Sequence, residues 1–164
     1  MEQHKIWTKT QLSVLVSLRF LIGWHLLYEG LSKLLNPNWS SAGFLSESKW
    51  VLQGMAEWIT GNSHVLAVAD LLNTWGLIVI GIGLIVGLYA RTAAFVGAGL
   101  LLVYYLNNPP LIGLEYSIPN EGNYLVVSKT LIEAVTLFLL AVFPTSQFVG
   151  LDTLRINFRK NFNN

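Results

Sequence analysis

The sequence predicts an all-α integral membrane protein: a bundle of four transmembrane helices with both termini cytoplasmic and a short amphipathic helix on the external side. Three observations predict it. Of 164 residues, 53% are hydrophobic and only 12% charged, about half the charge of an ordinary soluble domain, and the mean hydropathy is +0.52. Apolar runs approaching the ~20 residues that a bilayer span needs recur along the chain. Basic and acidic residues segregate to opposite sides once those runs are threaded through a membrane. Residues 1–164 read as a single membrane domain, with no room for a separate soluble one.

The first span, residues 11–35, is too long and too charged for a cleavable signal peptide and reads as a retained helix. It carries Arg19, His25, Glu29 and Lys33 within an otherwise apolar run. At roughly 100° per residue these fall within an arc of about 120°, with Gly23 and Gly30 in or beside it. An ionisable group at bilayer depth costs about 2.5 kcal/mol or more, so such groups face a protein interior or a wet cavity and find partners there. The first span therefore builds one wall of an intramembrane polar site.

The second and third spans, residues 71–89 and 92–106, form a tight hairpin around Arg91. Gly83 and Gly87 make a small-xxx-small pair, and Ala93, Ala94, Gly97 and Ala98 repeat at helix-contact spacing, the residue type that lets backbones approach in lipid. The fourth span, residues 124–143, ends before Pro144 and holds Lys129 and Glu133 one turn apart. Residues 145–164 read as a cytoplasmic interfacial tail, with Phe148, Leu151, Leu154, Phe158 and Phe162 opposed to Arg155, Arg159 and Lys160.

Lys5, Lys9, Arg91, Arg155, Arg159 and Lys160 share one side of this four-span layout, which short basic segments mark as cytoplasmic. Glu47, Glu57, Asp70, Glu115 and Glu121 share the other. Within the external connection of residues 36–70, Val51, Met55, Trp58 and Ile59 recur at helical spacing behind a cap at Ser46 or Ser48. This predicts an amphipathic helix that either covers the outer mouth as a lid or lies in the interface without chemistry. The second external connection, residues 107–123, is rich in turn-forming Asn and Pro.

Several function classes are disfavoured. A net charge of +1 without a basic, aromatic-interleaved stripe gives no reason to expect nucleic acid. With no cysteine, the chain has no thiol chemistry of its own. His4, His25 and His64 are too scattered for a metal site, and no Glu-x-x-His pair appears. Phosphate-binding loops, dinucleotide fingerprints and nucleophile elbows are absent.

The run Leu18-Arg19-Phe20-Leu21-Ile22-Gly23-Trp24, continued by Glu29-Gly30-Leu31-Ser32-Lys33-Leu34 and Asn36-Pro37, resembles the first helix of DoxX/DoxD-like membrane proteins. Gly81 to Ala94, leading into Tyr89-Ala90-Arg91-Thr92, resembles that family's second hairpin. The resemblance implies the four-span fold and, because members include the small membrane subunit of a thiosulfate:quinone oxidoreductase, a quinone-linked role in a bacterial-type inner membrane.

Counting residues along the spans pairs Arg19 with Glu133 and Lys129 with Glu29. Such pairs can fix helix register and do nothing more. Alternatively they form a quinone site, with His25, Glu29 and Glu133 as proton-handling catalytic residues and Arg19, Trp24, Lys33 and Lys129 binding the head group. His25 is the best single candidate for a proton relay, being a histidine with Glu29 one turn above it, although an intramembrane His also serves as a helix contact. The expected function is the membrane subunit of a quinone-linked oxidoreductase, with lipid around it and a partner subunit or second copy beside it. A non-enzymatic scaffold, chaperone or assembly factor and a small-solute or lipid carrier are the alternatives.

Overall fold

In a computed structural model of the chain, residues 7–117 and 123–154 are described. Helix α1 (Lys9–Leu34) opens two residues before the expected span because Thr8 and Gln11 form a capping box. Helices α2 (Ala42–Ser46) and α3 (Gln53–Thr60) follow. The external amphipathic helix is thus two short helices, and neither Ser46 nor Ser48 caps α3, which begins after Leu52 without a side-chain cap.

Helix α4 (Ser63–Val86) starts eight residues before the expected Leu71. The Asn62 side chain accepts from the backbone N–H groups of His64 and Val65 and starts the helix there. Asp70, expected in a loop, therefore lies on α4. Helix α5 (Ala90–Asn107) follows a turn in which Gly87 and Tyr89 both adopt positive φ. The fourth helix shows the largest departure: β1 (Asn123–Tyr124) and β2 (Val127–Ser128) pair antiparallel, and α6 (Lys129–Val142) begins only after them, where the Ser128 hydroxyl accepts from Leu131 N–H. Lys129 is accordingly the first residue of α6 and does not lie inside it. A 3-10 turn, Thr145–Gln147, follows. The expected tail residues Arg155, Phe158, Arg159, Lys160 and Phe162 lie outside the described residues.

Helices α1 and α4, of 26 and 24 residues and each holding an 18-residue stretch of mean hydropathy 1.3 and 2.0, are long and apolar enough to cross a membrane. At 1.5 Å per residue they reach about 39 and 36 Å, beyond the ~30 Å hydrocarbon core. By the same rise α5 and α6 reach only about 27 and 21 Å. The outer faces are apolar, as at Val79, Leu72 and Val135, which is how a lipid-facing surface differs from a soluble one.

α1 packs chiefly on α4, α5 chiefly on α6, and α4 meets α5 through their hairpin, whereas α1 and α6 touch sparsely. Leu26, Leu77, Leu84, Ala94, Leu137 and Ala141 from all four long helices fill the centre. Trp7 and Phe143 meet edge to face at 5.5 Å, so α1 begins where α6 ends.

The α1–α4 seam is set by glycine, though not by the pair the spacing suggested. A Cβ on Gly81 would stand 2.6 Å from Leu27 N and 2.7 Å from Gly23 O. Gly83 instead faces Ala93 and Leu88, and Gly87 ends α4 in the left-handed conformation (φ +72°). Replacing Gly81 with Leu should therefore destabilise the protein by about 1–3 kcal/mol or more, as overpacking a fixed interface does. Gly76, which has open space around it, should accept Ala with no loss. Thermal melts of both variants in the same detergent check the contrast.

Candidate functional site

The α1 arc divides into three parts. At its outer end, Lys33 Nζ donates to Glu29 Oε2 at 3.3 Å and stands 5.5 Å from the centre of the Trp39 ring. Glu29 thus pairs along its own helix and not with Lys129. An i, i+4 pair of this polarity, Glu before Lys, is the favourable one on a helix.

In the middle, His25 Nε2 lies 3.5 Å from Glu133 Oε1, and Lys129 Nζ lies 3.9 Å from the same oxygen. Glu133 therefore pairs with His25 across the bundle, in place of the expected Arg19. The register explains it. Arg19 sits six residues before His25, about 9 Å along the axis, so the one Glu133 side chain, at the level of His25, does not also reach it. Both separations exceed direct hydrogen-bond length, leaving space at the shared oxygen for a small adjustment, a water or a ligand atom. The His25 side chain is 36% exposed and that of Glu133 19%. Trp24, beside His25 in sequence, is 56% exposed.

Lys129 is placed against local helix preference. A cation in the first turn of α6 opposes the helix dipole, and Lys before Glu at i, i+4 is the weaker order. Ordinary helix stability does not explain a lysine at that position.

At the inner end, Arg19 is only 5% exposed and holds the segment after α6. Its Nη1 donates to Thr145 Oγ1 at 3.0 Å and its Nη2 to Val149 O at 2.9 Å. The same segment brings Asp152 to the start of α5, where its carboxylate accepts from Tyr89 N–H at 2.9 Å and Ala90 N–H at 3.3 Å. Asp152 N–H returns a bond to Gly87 O at 2.9 Å. Gly87 and Gly150 stack backbone to backbone, since a Cβ on Gly87 would lie 2.8 Å from Gly150 Cα. Arg19 is thus an anchor for the bundle end, its Nη groups both engaged by the segment after α6.

Among the sequence-derived site residues, the structure joins His25, Glu133 and Lys129, joins Glu29 with Lys33, and separates Arg19 from both groups. Sequence reading missed Asp70, whose carboxylate accepts from both Ser41 N–H and Ser41 Oγ–H. It also missed Asn73, which accepts from the Tyr104 hydroxyl, and Asp152. The Asn62 cap was the available signal for the first two; nothing local marks the third.

The segment after α1 and the segment after α5 clasp each other. Glu47 Oε2 accepts from Ser117 N–H at 3.1 Å and lies 3.6 Å from Lys49 Nζ. Lys49 donates to Glu115 O and stands 5.5 Å from the Tyr116 ring, and Tyr116 donates to Pro109 O at 2.8 Å. The bond from Ser117 N–H, with Lys49 nearby, holds the Glu47 carboxyl below the usual carboxylate range. Burial, reinforced by Glu47, pushes the Tyr116 phenol up.

A family model described as DoxX matches residues 14–107. The match runs from α1 through α5 and leaves α6 outside it. No curated protein and no solved structure matches the chain.

Because the Glu47 carboxyl is depressed in the folded state, its contribution to the clasp is fully present above the ordinary carboxylate pKa of about 4 and is lost as pH falls through the lower folded value. The protection factor of Ser117 N–H against hydrogen exchange, taken against the intrinsic rate at each pH, should be high near neutrality and fall below about pH 4. In Glu47→Gln that step should disappear.

Proposed function

The chain belongs to the DoxX family of membrane proteins, and from that premise we propose that it is the membrane subunit of a quinone-linked oxidoreductase whose quinone head group meets the His25–Glu133–Lys129 cluster. In this reading all four long helices cross a bacterial-type inner membrane. The end bearing Lys9, Arg91 and the post-α6 segment faces the cytoplasm, as short basic segments do. The shared beginning of α1 and end of α6 supports an even number of spans, and α6, with the β1–β2 hairpin ahead of it, enters from the external side.

One observation carries the reading: a single carboxylate oxygen, Glu133 Oε1, stands between His25 and Lys129 at non-hydrogen-bonding distances, with the His25 and Lys129 side chains partly exposed. A reducible carbonyl compound dissolved in the bilayer needs hydrogen-bond donors at its oxygens and a proton source, and this cluster offers both. Lys129 and His25 supply N–H donors, Trp24 supplies a ring face, and the apolar side chains of Ile132 and Val135 surround α6 with lipid-like surface.

A quinone bound there supplies a two-electron acceptor that takes up protons on reduction. His25 Nε2 and Glu133 Oε1 are near enough to exchange a proton through one bridging water or a slight closure. Lys129 places its Nζ beside that oxygen and, at the first turn of α6, sits nearest the aqueous edge. Glu29 and Lys33 lie one to two turns outward along α1 and offer a continuation toward the external surface. Oxidation of the donor, thiosulfate in the type that the resemblance implies, belongs to a partner subunit.

The test is quinone-reductase turnover of the complex isolated from its own membranes. Glu133→Gln and His25→Ala should each lower turnover by about 10²-fold or more, the usual contribution of a positioned acid or base, while Lys129→Ala should weaken quinone retention more than it slows turnover. Folded variants that turn over normally would overturn the reading, and recovery of a non-redox membrane partner without quinone would move the function to a scaffold.

A further inference from the structure

Helix α6 is short for a membrane span, and its late start carries visible costs. Its 14 residues reach about 21 Å, roughly 9 Å less than the ~30 Å hydrocarbon core. It is also shorter than α5, the 18-residue helix on which it packs.

The residues ahead of α6 form a hairpin of two residue pairs, Asn123 with Ser128 and Tyr124 with Val127. Its turn is Leu125 and Val126, and Leu125 adopts φ +56°. Hairpins give a first turn residue at positive φ to glycine, because a Cβ there crowds the neighbouring carbonyl oxygen. The side chains recover little by packing, since Leu125, Val126 and Val127 are 67%, 56% and 48% exposed. At bilayer depth so short a hairpin also lacks the internal hydrogen bonding that a helix gives its backbone. Lys129, as the first residue of α6, opposes the helix dipole. A tertiary bond holds the turn in place against these costs: the Tyr105 hydroxyl donates to Val126 O at 2.8 Å and ties the hairpin to α5.

The same residues suit a helix. Residues 124–128 continue the apolar run of α6 toward the N-terminus, and Asn123 ahead of them belongs to the residue types preferred as helix N-caps. A helix over residues 124–142 reaches about 28 Å, close to the core thickness. It removes the positive φ at Leu125, satisfies the backbone internally and carries Lys129 beyond the first turn, with Glu133 still one turn after it.

We infer that residues 123–128 are a conformational switch with two states, the hairpin of the structure and an N-terminal extension of α6, and that bilayer thickness sets the balance between them. A thin bilayer matches the short helix; a thick one draws residues 124–128 into the span. The inference rests on the reading that α6 crosses the membrane. The lipid bilayer is the effector of this switch, and Tyr105 is the residue that holds it in the hairpin state.

The experiment is solid-state NMR of the full-length chain with isotope-labelled valine, reconstituted in short-chain dimyristoleoyl and in long-chain dierucoyl phosphatidylcholine. The Cα and Cβ shifts of Val126 and Val127, assigned through Val126→Ile and Val127→Ile, separate strand from helix. Both residues should show strand shifts in the thin bilayer and gain a helical set in the thick one. Tyr105→Phe should raise the ratio of helix to hairpin about fivefold, the equivalent of about 1 kcal/mol for one tertiary hydrogen bond. Leu125→Gly, which accepts positive φ and disfavours helix, should abolish the helical set. Because the chain has no cysteine, Ile112→Cys and Gln147→Cys, labelled with a membrane-impermeant maleimide, report whether the two ends of α6 lie on opposite faces of the bilayer. With crossing established, shifts that do not change between the two lipids, a Tyr105→Phe ratio equal to that of the natural chain, or a helical set that persists in Leu125→Gly would each overturn the switch alone. Labelling of both cysteines from one face would overturn it together with the four-span reading.

Discussion

An ionisable side chain carried into an apolar bundle has to find its compensation within the protein, and most of what is distinctive in this chain follows from how four helices meet that demand. Each charge is answered at a different depth and by a different device. Glu29 and Lys33 neutralise each other along one helix. His25, Glu133 and Lys129 gather around one oxygen between two helices. Arg19 has no carboxylate within ion-pair distance among the described residues and is instead held by a hydroxyl and a backbone carbonyl.

Arg19 shows how one buried cation organises a whole end of the fold. To reach Thr145 and Val149 the chain must turn back after Pro144 and tuck into the bundle, and that return brings Gly150 against Gly87 and Asp152 to the start of α5. Only glycine tolerates the backbone approach and the positive φ there, +72° at Gly87 and +147° at Gly150. Asp152 then supplies the cap that α5 lacks from its own sequence, since Tyr89 offers no side-chain bond of its own at that position. The other end is closed by different chemistry, with the carboxylates of Glu47 and Asp70 holding the external helices onto α4 and the loop after α5.

The all-α class, the first helix and its polar arc were legible because period and composition are local properties. The resemblance carried by Arg19, Gly23, Gly30 and Lys33 was legible too, and the family match across residues 14–107 bears it out. Partners were not. Arg19–Glu133 and Lys129–Glu29 came from counting residues from helix ends, and a late start for α6 displaced the count. Val127 and Ser128 read as the beginning of an apolar helix, but tertiary pairing with β1 withholds them from it. In α4 the reverse happened, since Asn62 caps a helix whose first two turns, apolar from Val65 to Ala69 and interrupted at Asp70, read as part of the preceding connection. Asp152 could not be found from sequence, because a cap donated from 62 residues away leaves no local signature.

In the proposed reading one helix separates anchoring from chemistry: Arg19 binds the segment after α6, while His25 stands beside Glu133 of the short α6. The central claim is that Glu133 exchanges a proton with its surroundings when the quinone is reduced, and reduction-induced infrared difference spectroscopy of the chain in membranes with its quinone measures that directly. The account predicts a carboxyl band that changes on reduction, is absent in Glu133→Gln, and shifts in His25→Ala. A difference spectrum in which quinone bands change and no carboxyl band assignable to Glu133 does would contradict it.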